Sequence, residues 1–212
     1  MRVKVCSLTK MEQVQTLDDT GVEFVGFMFY PKSPRYLGNL LSPDEVRRAR
    51  WKTNKVGVFV NPTYEEVMRS ADAYGLHMVQ LHGDETPKFC ERISEQLETI
   101  KAFRVGPDEN IEWRVRPYSG SCDLFLFDTA GVQYGGTGRK FDWGLLANIQ
   151  IEKPFILSGG IGPDDVENIR KFREGPAGKQ LFALDVNSKF ESHPGVKNLD
   201  ILKPFIEAVH PI

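Results

Sequence analysis

The feature that most constrains the fold of this chain is a repeated alternation of short apolar runs with segments of helical character. Each run is three to eight residues long and rich in Val, Ile or Phe, which is too short for a buried helix and typical of a strand. Most runs are apolar at nearly every position, as expected for parallel strands covered on both faces. The eight runs are Val3–Cys6, Val22–Phe29, Val56–Val60, Met78–Leu81, Thr99–Phe103, Leu124–Phe127, Phe155–Leu157 and Leu181–Val186.

Helix-start signals lie between several of these runs. Thr63 stands three residues before Glu66, and Ser42 precedes Pro43, so each pair predicts a capped helix start. Further starts are predicted at Thr86 and Pro163. Eight strand–helix units of roughly 20–30 residues predict an α/β fold, a single (β/α)8 TIM barrel, more readily than an open sheet.

The length of 212 residues suits one domain with little decoration, so we expect residues 1–212 to form a single TIM-barrel catalytic domain. The alternative is an open doubly wound sheet that binds a dinucleotide. That fold expects a glycine-rich turn after the first strand, whereas this chain has Ser7-Leu8-Thr9-Lys10 there.

Charge and cysteine content exclude several function classes. With 27 basic and 29 acidic residues the net charge is −2, so no broad basic surface is expected for nucleic acid or for acidic membranes. The three cysteines are too few and too scattered for a disulfide framework or a zinc site. No apolar run resembles a signal peptide or a membrane span, and we therefore expect a cytoplasmic protein. The oligomeric state stays open.

Polar residues end the predicted strands, where a barrel carries its active site. Cys6, His82 and Asp128 each follow a different strand. By side-chain alternation Cys6 points into the barrel together with Lys4, and a buried lysine requires a partner. We expect Asp185 or Lys101 to interact with it at that depth.

A phosphate site is predicted after the seventh and eighth strands. Gly159 and Gly160 allow backbone N–H groups to approach an anion, and Asn187 and Ser188 end the last strand. These two loops form the usual phosphate site of such barrels. The glycine-rich segment Gly135–Gly138 suggests either a lid or simply a long connection.

Each candidate catalytic residue also has a simpler interpretation. A lone strand cysteine is more often a small buried hydrophobe, a strand-end aspartate often caps a loop, and a histidine such as His82 is commonly structural. Arg35 follows a proline-stiffened turn and could offer its planar fork to a carboxylate, or could be an ordinary surface arginine.

Taken together, the motifs resemble the phosphoribosylanthranilate isomerase family of tryptophan biosynthesis. The resemblance runs in order from residue 4 to about residue 200. Its most specific stretches are the loop Tyr30-Pro31-Lys32-Ser33-Pro34-Arg35 and the strand end Gln80-Leu81-His82-Gly83-Asp84-Glu85.

The resemblance implies an Amadori rearrangement of N-(5'-phosphoribosyl)anthranilate, a phosphorylated small molecule, without cofactor or metal. It implies Asp128 as general acid, Cys6 as general base and Arg35 as the ligand of the anthranilate carboxylate. The phosphate would be bound by Gly159, Gly160, Asn187 and Ser188, and His82 would be a further substrate-binding residue. Three residues depart from the family pattern: Ser7 and Lys189 stand where glycine is usual, and Asn198 stands where aspartate is usual.

Other functions fit less well. The related histidine-pathway isomerase uses two aspartates, and Cys6 argues against it. Indoleglycerol-phosphate synthase requires a catalytic lysine at a strand mouth, whereas Lys4 and Lys101 are expected to lie too deep. A non-catalytic phosphate-binding barrel would have no use for Cys6, Asp128 and Arg35 together.

Overall fold

The computed structural model describes residues 1–107, 110–130, 141–147, 149 and 151–212. Eight parallel strands pair in chain order, and the eighth pairs with the first, so that the sheet closes into a barrel. The strands are β1 (Arg2–Val5), β2 (Phe24–Met28), β3 (Asn54–Phe59), β4 (Met78–Leu81), β5 (Glu98–Val105), β6 (Leu124–Thr129), β7 (Phe155–Leu157) and β8 (Leu181–Val186). The predicted (β/α)8 fold is therefore confirmed, and strand ends differ from the prediction by at most a few residues.

Helices cover the outside of the barrel. They are α1 (Met11–Asp19), α2 (Pro43–Arg48), α3 (Tyr64–Tyr74), α4 (Pro87–Ser94), α5 (Ile111–Val115), α6 (Gly144–Ala147), α7 (Val166–Glu174) and α8 (Leu199–Val209). The side chains of Ser42, Thr63 and Thr86 cap their helices as predicted, and Thr63 forms a complete capping box with Glu66. The signal at Pro163 begins a 3-10 turn, Pro163–Asp165, that leads into α7. No helix within these ranges is long and apolar enough to cross a membrane.

Two apolar layers pack on opposite faces of the sheet. The outer layer joins strand residues such as Val3, Val5 and Phe127 to the helices. The inner layer fills the lower half of the barrel with residues such as Phe24, Leu126 and Ile156. Because side chains alternate along a strand, the residue two positions beyond Leu126 also faces inward, and this residue is Asp128. Beyond the inner layer, the barrel interior combines such polar side chains with a small apolar cluster of Cys6, Met28 and Val58.

A short hairpin follows the last barrel strand. Its strands are β9 (Glu191–His193) and β10 (Val196–Lys197), which pair antiparallel around a turn that contains Gly195 at φ 84°. The Gln13 side chain of α1 bonds to both backbone groups of Lys197, at 2.9 Å and 2.7 Å. The hairpin is thereby fixed over the β1 end of the barrel mouth, and it was not predicted from the sequence.

Candidate active site

One pocket opens at the C-terminal ends of the strands, and we call it the central pocket. Six of the eight predicted site residues line it: Cys6, His82, Asp128, Gly160, Asn187 and Ser188. Gly159 adjoins it through Asp128, whereas Arg35 is not among the lining residues. Within the described ranges, no three His, Cys, Asp or Glu side chains converge as they would around a metal ion.

Cys6 lies directly after β1, and its side chain is buried beside two lysines. Its charge and hydrogen bonding help to raise the pKa of Lys4, and its charge also acts on Lys197. Positive charge beside sulfur stabilises the thiolate over the thiol. Gly26 on the neighbouring β2 provides the room, since a Cβ there would lie 2.9 Å from Cys6 Sγ and 3.3 Å from Lys4 Nζ.

Lys4 is held by a buried ion pair inside the barrel. Its Nζ lies 2.8 Å from Asp185 Oδ1, directly across the β1–β8 pairing. Burial disfavours the ammonium, but the carboxylate of Asp185 and the sulfur of Cys6 outweigh it and raise the pKa of Lys4. Ser158 Oγ donates to the other oxygen of Asp185 at 3.3 Å. The inward Lys4 and its partner Asp185 are thus as predicted, and Lys4 stays charged next to Cys6.

Lys101 does not lie inside the barrel with Lys4, so the expectation that it lies at barrel depth was wrong. Its neighbours Ile100 and Ala102 face the barrel interior, so Lys101 points outward into the layer beneath the helices. There its Nζ lies 2.8 Å from Glu85 Oε2 and 2.8 Å from the carbonyl oxygen of Gly83. This buried pair supports the loop that follows His82.

Asp128 lies across the central pocket in a chain of hydrogen bonds. Its Oδ1 accepts the Thr129 backbone N–H at 2.8 Å, and its Oδ2 lies 3.2 Å from His82 Nε2. His82 Nδ1 lies 2.7 Å from Gln80 Nε2. The tautomer of His82 decides which atom donates in each of these two contacts. Both carboxylate oxygens of Asp128 thus have a hydrogen-bonding neighbour at the pocket wall.

The loops after β7 and β8 meet at one side of the central pocket. Gly159 and Gly160 have φ of 91° and 66°, which favours glycine at both positions. At Gly159 a Cβ would also lie 2.8 Å from the Thr129 backbone nitrogen. Gly160 and Ser188 line the pocket, where backbone amides and a hydroxyl suit a phosphate group.

Arg35 is bound to a carboxylate of the hairpin. Its Nε and Nη2 hydrogen bond to Glu191 Oε2 at 2.9 Å and 2.7 Å. Lys197 Nζ lies 2.8 Å from Glu191 Oε1. Burial alone would raise the pKa of Glu191, but the bonds from Arg35 and the charge of Lys197 outweigh it and lower that pKa. Sequence reasoning did not single out either Glu191 or Lys197 as part of the site.

The three departures from the family pattern have different structural settings. Ser7 has φ of 62° and is fully buried, so its backbone adopts the conformation that favours glycine. Lys189 is exposed and lies beside Gly162, without a positive φ. Asn198 caps α8 by accepting the Asp200 backbone N–H at 3.1 Å, which an aspartate would do equally well. The predicted lid, Gly135–Gly138, lies outside the described residues.

The remaining cysteines lie away from the central pocket. Burial raises the pKa of Cys90 to about 12 and that of Cys122 to about 11, so both stay thiols at neutral pH. All three cysteines are free, and Cys6 alone among them lines the central pocket.

Comparison with known proteins decides the family. The profile described as "N-(5'phosphoribosyl)anthranilate (PRA) isomerase" matches residues 3–208. The chain belongs to this family. One relative is the N-(5'-phosphoribosyl)anthranilate isomerase of Parabacteroides distasonis, which is 38% identical over 214 residues. The match covers 100% of this chain and 95% of the relative.

Solved structures agree with this family membership. Phosphoribosyl anthranilate isomerase from Thermotoga maritima superposes with a TM-score of 0.83 at 35% identity and full coverage of both chains. A phosphoribosyl anthranilate isomerase solved in complex with reduced 1-(o-carboxyphenylamino)-1-deoxyribulose 5-phosphate gives a TM-score of 0.78 at 33% identity, again over both full chains. The resemblance inferred from the motifs is therefore confirmed.

Proposed function

We propose that this isomerase of tryptophan biosynthesis converts N-(5'-phosphoribosyl)anthranilate to 1-(o-carboxyphenylamino)-1-deoxyribulose 5-phosphate, with Asp128 as general acid and Cys6 as general base. The observation that carries the residue roles is their placement on opposite sides of the central pocket. Cys6 lies beside the Lys4 ammonium, and the Asp128 carboxyl lies against His82 and the Thr129 backbone amide. The cation beside Cys6 suits a base that acts as a thiolate, and Asp128 can deliver a proton to a substrate in the pocket from another strand end.

The chemistry begins with two proton transfers and ends with a tautomerisation. Asp128 donates a proton to the furanose ring oxygen, the bond between that oxygen and C1 breaks, and a protonated Schiff base forms at C1. The Cys6 thiolate then removes the proton from C2, and the electron pair of that bond forms the C1–C2 double bond of an enolamine. Tautomerisation, in which the C2 hydroxyl loses a proton and C1 gains one, gives the ketone, and the return of a proton from Cys6 to Asp128 through solvent restores both groups. C1 is reduced and C2 is oxidised within one molecule, so the reaction requires no external oxidant.

Substrate orientation follows from the two anionic ends of the substrate. The phosphate would bind the amides around Gly159 and Gly160 together with Asn187 and Ser188. The anthranilate carboxylate would bind Arg35. Nε and Nη2 of Arg35 donate hydrogen bonds to Glu191, which fixes the plane of the guanidinium group and therefore the direction of Nη1. His82 would contact the reacting sugar next to Asp128. Binding at both ends fixes C1 and C2 between the acid and the base.

The test is a fluorescence assay that follows the loss of phosphoribosylanthranilate. We expect Cys6→Ser and Asp128→Asn each to lower kcat/KM by at least about 100-fold, the typical contribution of a positioned acid or base. Cys122→Ser is the matched control and should keep wild-type kcat/KM, because Cys122 bonds to the Tyr118 carbonyl and does not line the central pocket. Inert wild-type protein would refute the proposed reaction, whereas active Cys6→Ser or Asp128→Asn protein would refute the residue roles.

The cellular setting is part of the proposal. A catalytic thiolate requires a reducing compartment, so we place the enzyme in the cytoplasm. Residues 1–212 would act as one catalytic domain on a small phosphorylated substrate.

A further inference from the structure

Ser7 combines a strained backbone with a buried hydroxyl next to the proposed base. It is one of two non-glycine residues with positive φ in the described part of the chain, and its side chain is fully buried. The Cys6 backbone N–H bonds to Val186 and the Leu8 N–H bonds to Gly26, both at 3.0 Å, so this segment is fixed on both sides. A serine in a conformation that favours glycine costs stability unless its side chain provides a compensating interaction.

The hydroxyl of Ser7 lies in a chain of hydrogen bonds whose directions are determined at one end. The Lys197 ammonium can only donate, and its Nζ lies 2.6 Å from Asn187 Oδ1. The Asn187 amide therefore directs its Nδ2 towards Ser7 Oγ, 3.3 Å away. Because Ser7 Oγ accepts this bond, its single proton is available for Cys6 Sγ, at 3.6 Å.

We propose that Ser7 is a positioning residue that donates a hydrogen bond to the Cys6 thiolate and couples it, through Asn187, to the buried cation of Lys197. The proposal rests on the proposed role of Cys6 as general base. A hydrogen bond to the charged form of a group stabilises that form. Ser7 thus enlarges the thiolate fraction of Cys6, a contribution that glycine at this position cannot make.

Several other charges face Cys6, and Ser7 acts in addition to them. Lys4 approaches from β1 and Lys197 from β10, and each of these cations favours the thiolate. Asp128 and His82 lie across the central pocket. The carboxylates nearest to these cations are already paired with them, Asp185 with Lys4 and Glu191 with Lys197. Replacement of Ser7 leaves all of these groups in place.

The experiment compares Ser7→Ala with Ser7→Gly. Both variants lose the hydroxyl, but only glycine relieves the strain at φ 62°. The readout is the ionisation of Cys6 without substrate, from the rate of alkylation by iodoacetamide and from thiolate absorbance between about pH 6 and 9. Cys90 and Cys122 stay protonated over this range because burial raises their pKa values to about 12 and about 11. Ser94→Ala, which removes an exposed hydroxyl at the end of α4, is the control.

We expect both Ser7 variants to shift the thiolate titration upward by about 0.5 to 1 pH unit, the size of a typical net hydrogen-bond contribution, because the Ser7 Oγ to Cys6 Sγ distance of 3.6 Å is long. The acid limb of the kcat/KM profile should move by the same amount, which lowers activity about three- to tenfold below that limb. Ser7→Gly should melt roughly 2–6 °C above Ser7→Ala, since it relieves the strain. A purely structural serine would change the melting temperature without moving either titration.

Each other outcome contradicts the proposal. Unchanged titrations in both variants would show that the hydroxyl does not act on the thiolate. A shift in Ser7→Ala alone would assign the effect to backbone strain. Failure of the base assignment is recognised separately, because the substrate-free titration reports on Ser7 even if Cys6→Ser retains activity.

Discussion

The buried pair of Lys4 and Asp185 offers the most demanding test of the site. Both side chains are almost completely enclosed, at 0% and 5% exposure, and the two charged atoms lie 2.8 Å apart. Lys4→Met would leave the Asp185 carboxylate buried without its cation. Removal of one partner from such a pair costs about 3–5 kcal/mol, and the remaining bond from Ser158 places our expectation at the lower end, about 3 kcal/mol.

For a chain of this length that loss lowers the melting temperature by roughly 6–12 °C. The pKa of Lys4 is raised in the folded protein, so its stabilising contribution is complete below the unfolded value near 10.5 and is lost only as pH rises through the higher folded value. The difference in unfolding free energy between wild type and Lys4→Met should consequently stay constant from about pH 6 to pH 9.

The double variant Lys4→Met/Asp185→Asn separates stability from catalysis. No charge is then left unpaired at the pair, and Ser158 can still bond to the asparagine, so about half of the lost stability should return. Activity should not return, because Cys6 has lost the adjacent ammonium that stabilises its thiolate. Urea unfolding followed by circular dichroism and the fluorescence assay measure the two effects. The reasoning fails if Lys4→Met costs less than about 1 kcal/mol, or if the double variant regains wild-type kcat/KM.

Three further predictions concern groups around the central pocket. Glu191→Gln should destabilise the protein by about 3 kcal/mol near neutral pH, because Arg35 and Lys197 lose their buried counter-charge. The pKa of Glu191 is lowered in the folded protein, so this loss should be complete above the unfolded value of about 4.5 and should shrink as the pH falls from there through the lower folded value, as acid titration of unfolding would show. Gln80→Glu should place a carboxylate beside Nδ1 of His82, accept a hydrogen bond from that nitrogen and favour the imidazolium next to Asp128, which lowers kcat at least about tenfold. Gln80→Met should lose less, and equal losses in both variants would contradict an electrostatic effect on Asp128. Lys189→Gln should raise KM about two- to fivefold at low salt and less at high salt, as expected for an exposed cation near a phosphate; a salt-independent KM would contradict this.

The barrel was predictable because its strands carry a local signal. Each strand is a short, continuously apolar run, and this pattern needs no knowledge of distant residues. The inward direction of the Lys4, Cys6 and Asp128 side chains was predictable as well, because side chains alternate between the two faces of a strand. The same alternation should have placed Lys101 on the outer face, because its neighbours Ile100 and Ala102 face the barrel interior. The expectation for Lys101 was therefore wrong although the rule was available.

The supporting shell of the site was less predictable, because it depends on contacts between distant parts of the chain. Arg35 and Glu191 are separated by 156 positions, and no local pattern relates them. The hairpin strands are only two and three residues long and carry no apolar alternation. Ser7 was identified as a departure from a family pattern, but the direction of its hydroxyl required the positions of Asn187 and Lys197. The catalytic and binding roles themselves stay predictions until the variants are assayed.

The pairing of Lys4 with Asp185 joins positions 181 residues apart, across the seam where β8 meets β1. Contacts of such long range form late, because closing a long loop costs chain entropy before the contact can stabilise the closed state. A chain whose eight strands are joined by seven pairings, with the β8–β1 seam still open, would contain most of the secondary structure and both proposed catalytic side chains. It would nevertheless have no cation held beside the sulfur and no finished phosphate loop. Enzymatic activity during refolding should therefore report on ring closure itself, and should lag behind the recovery of helical signal.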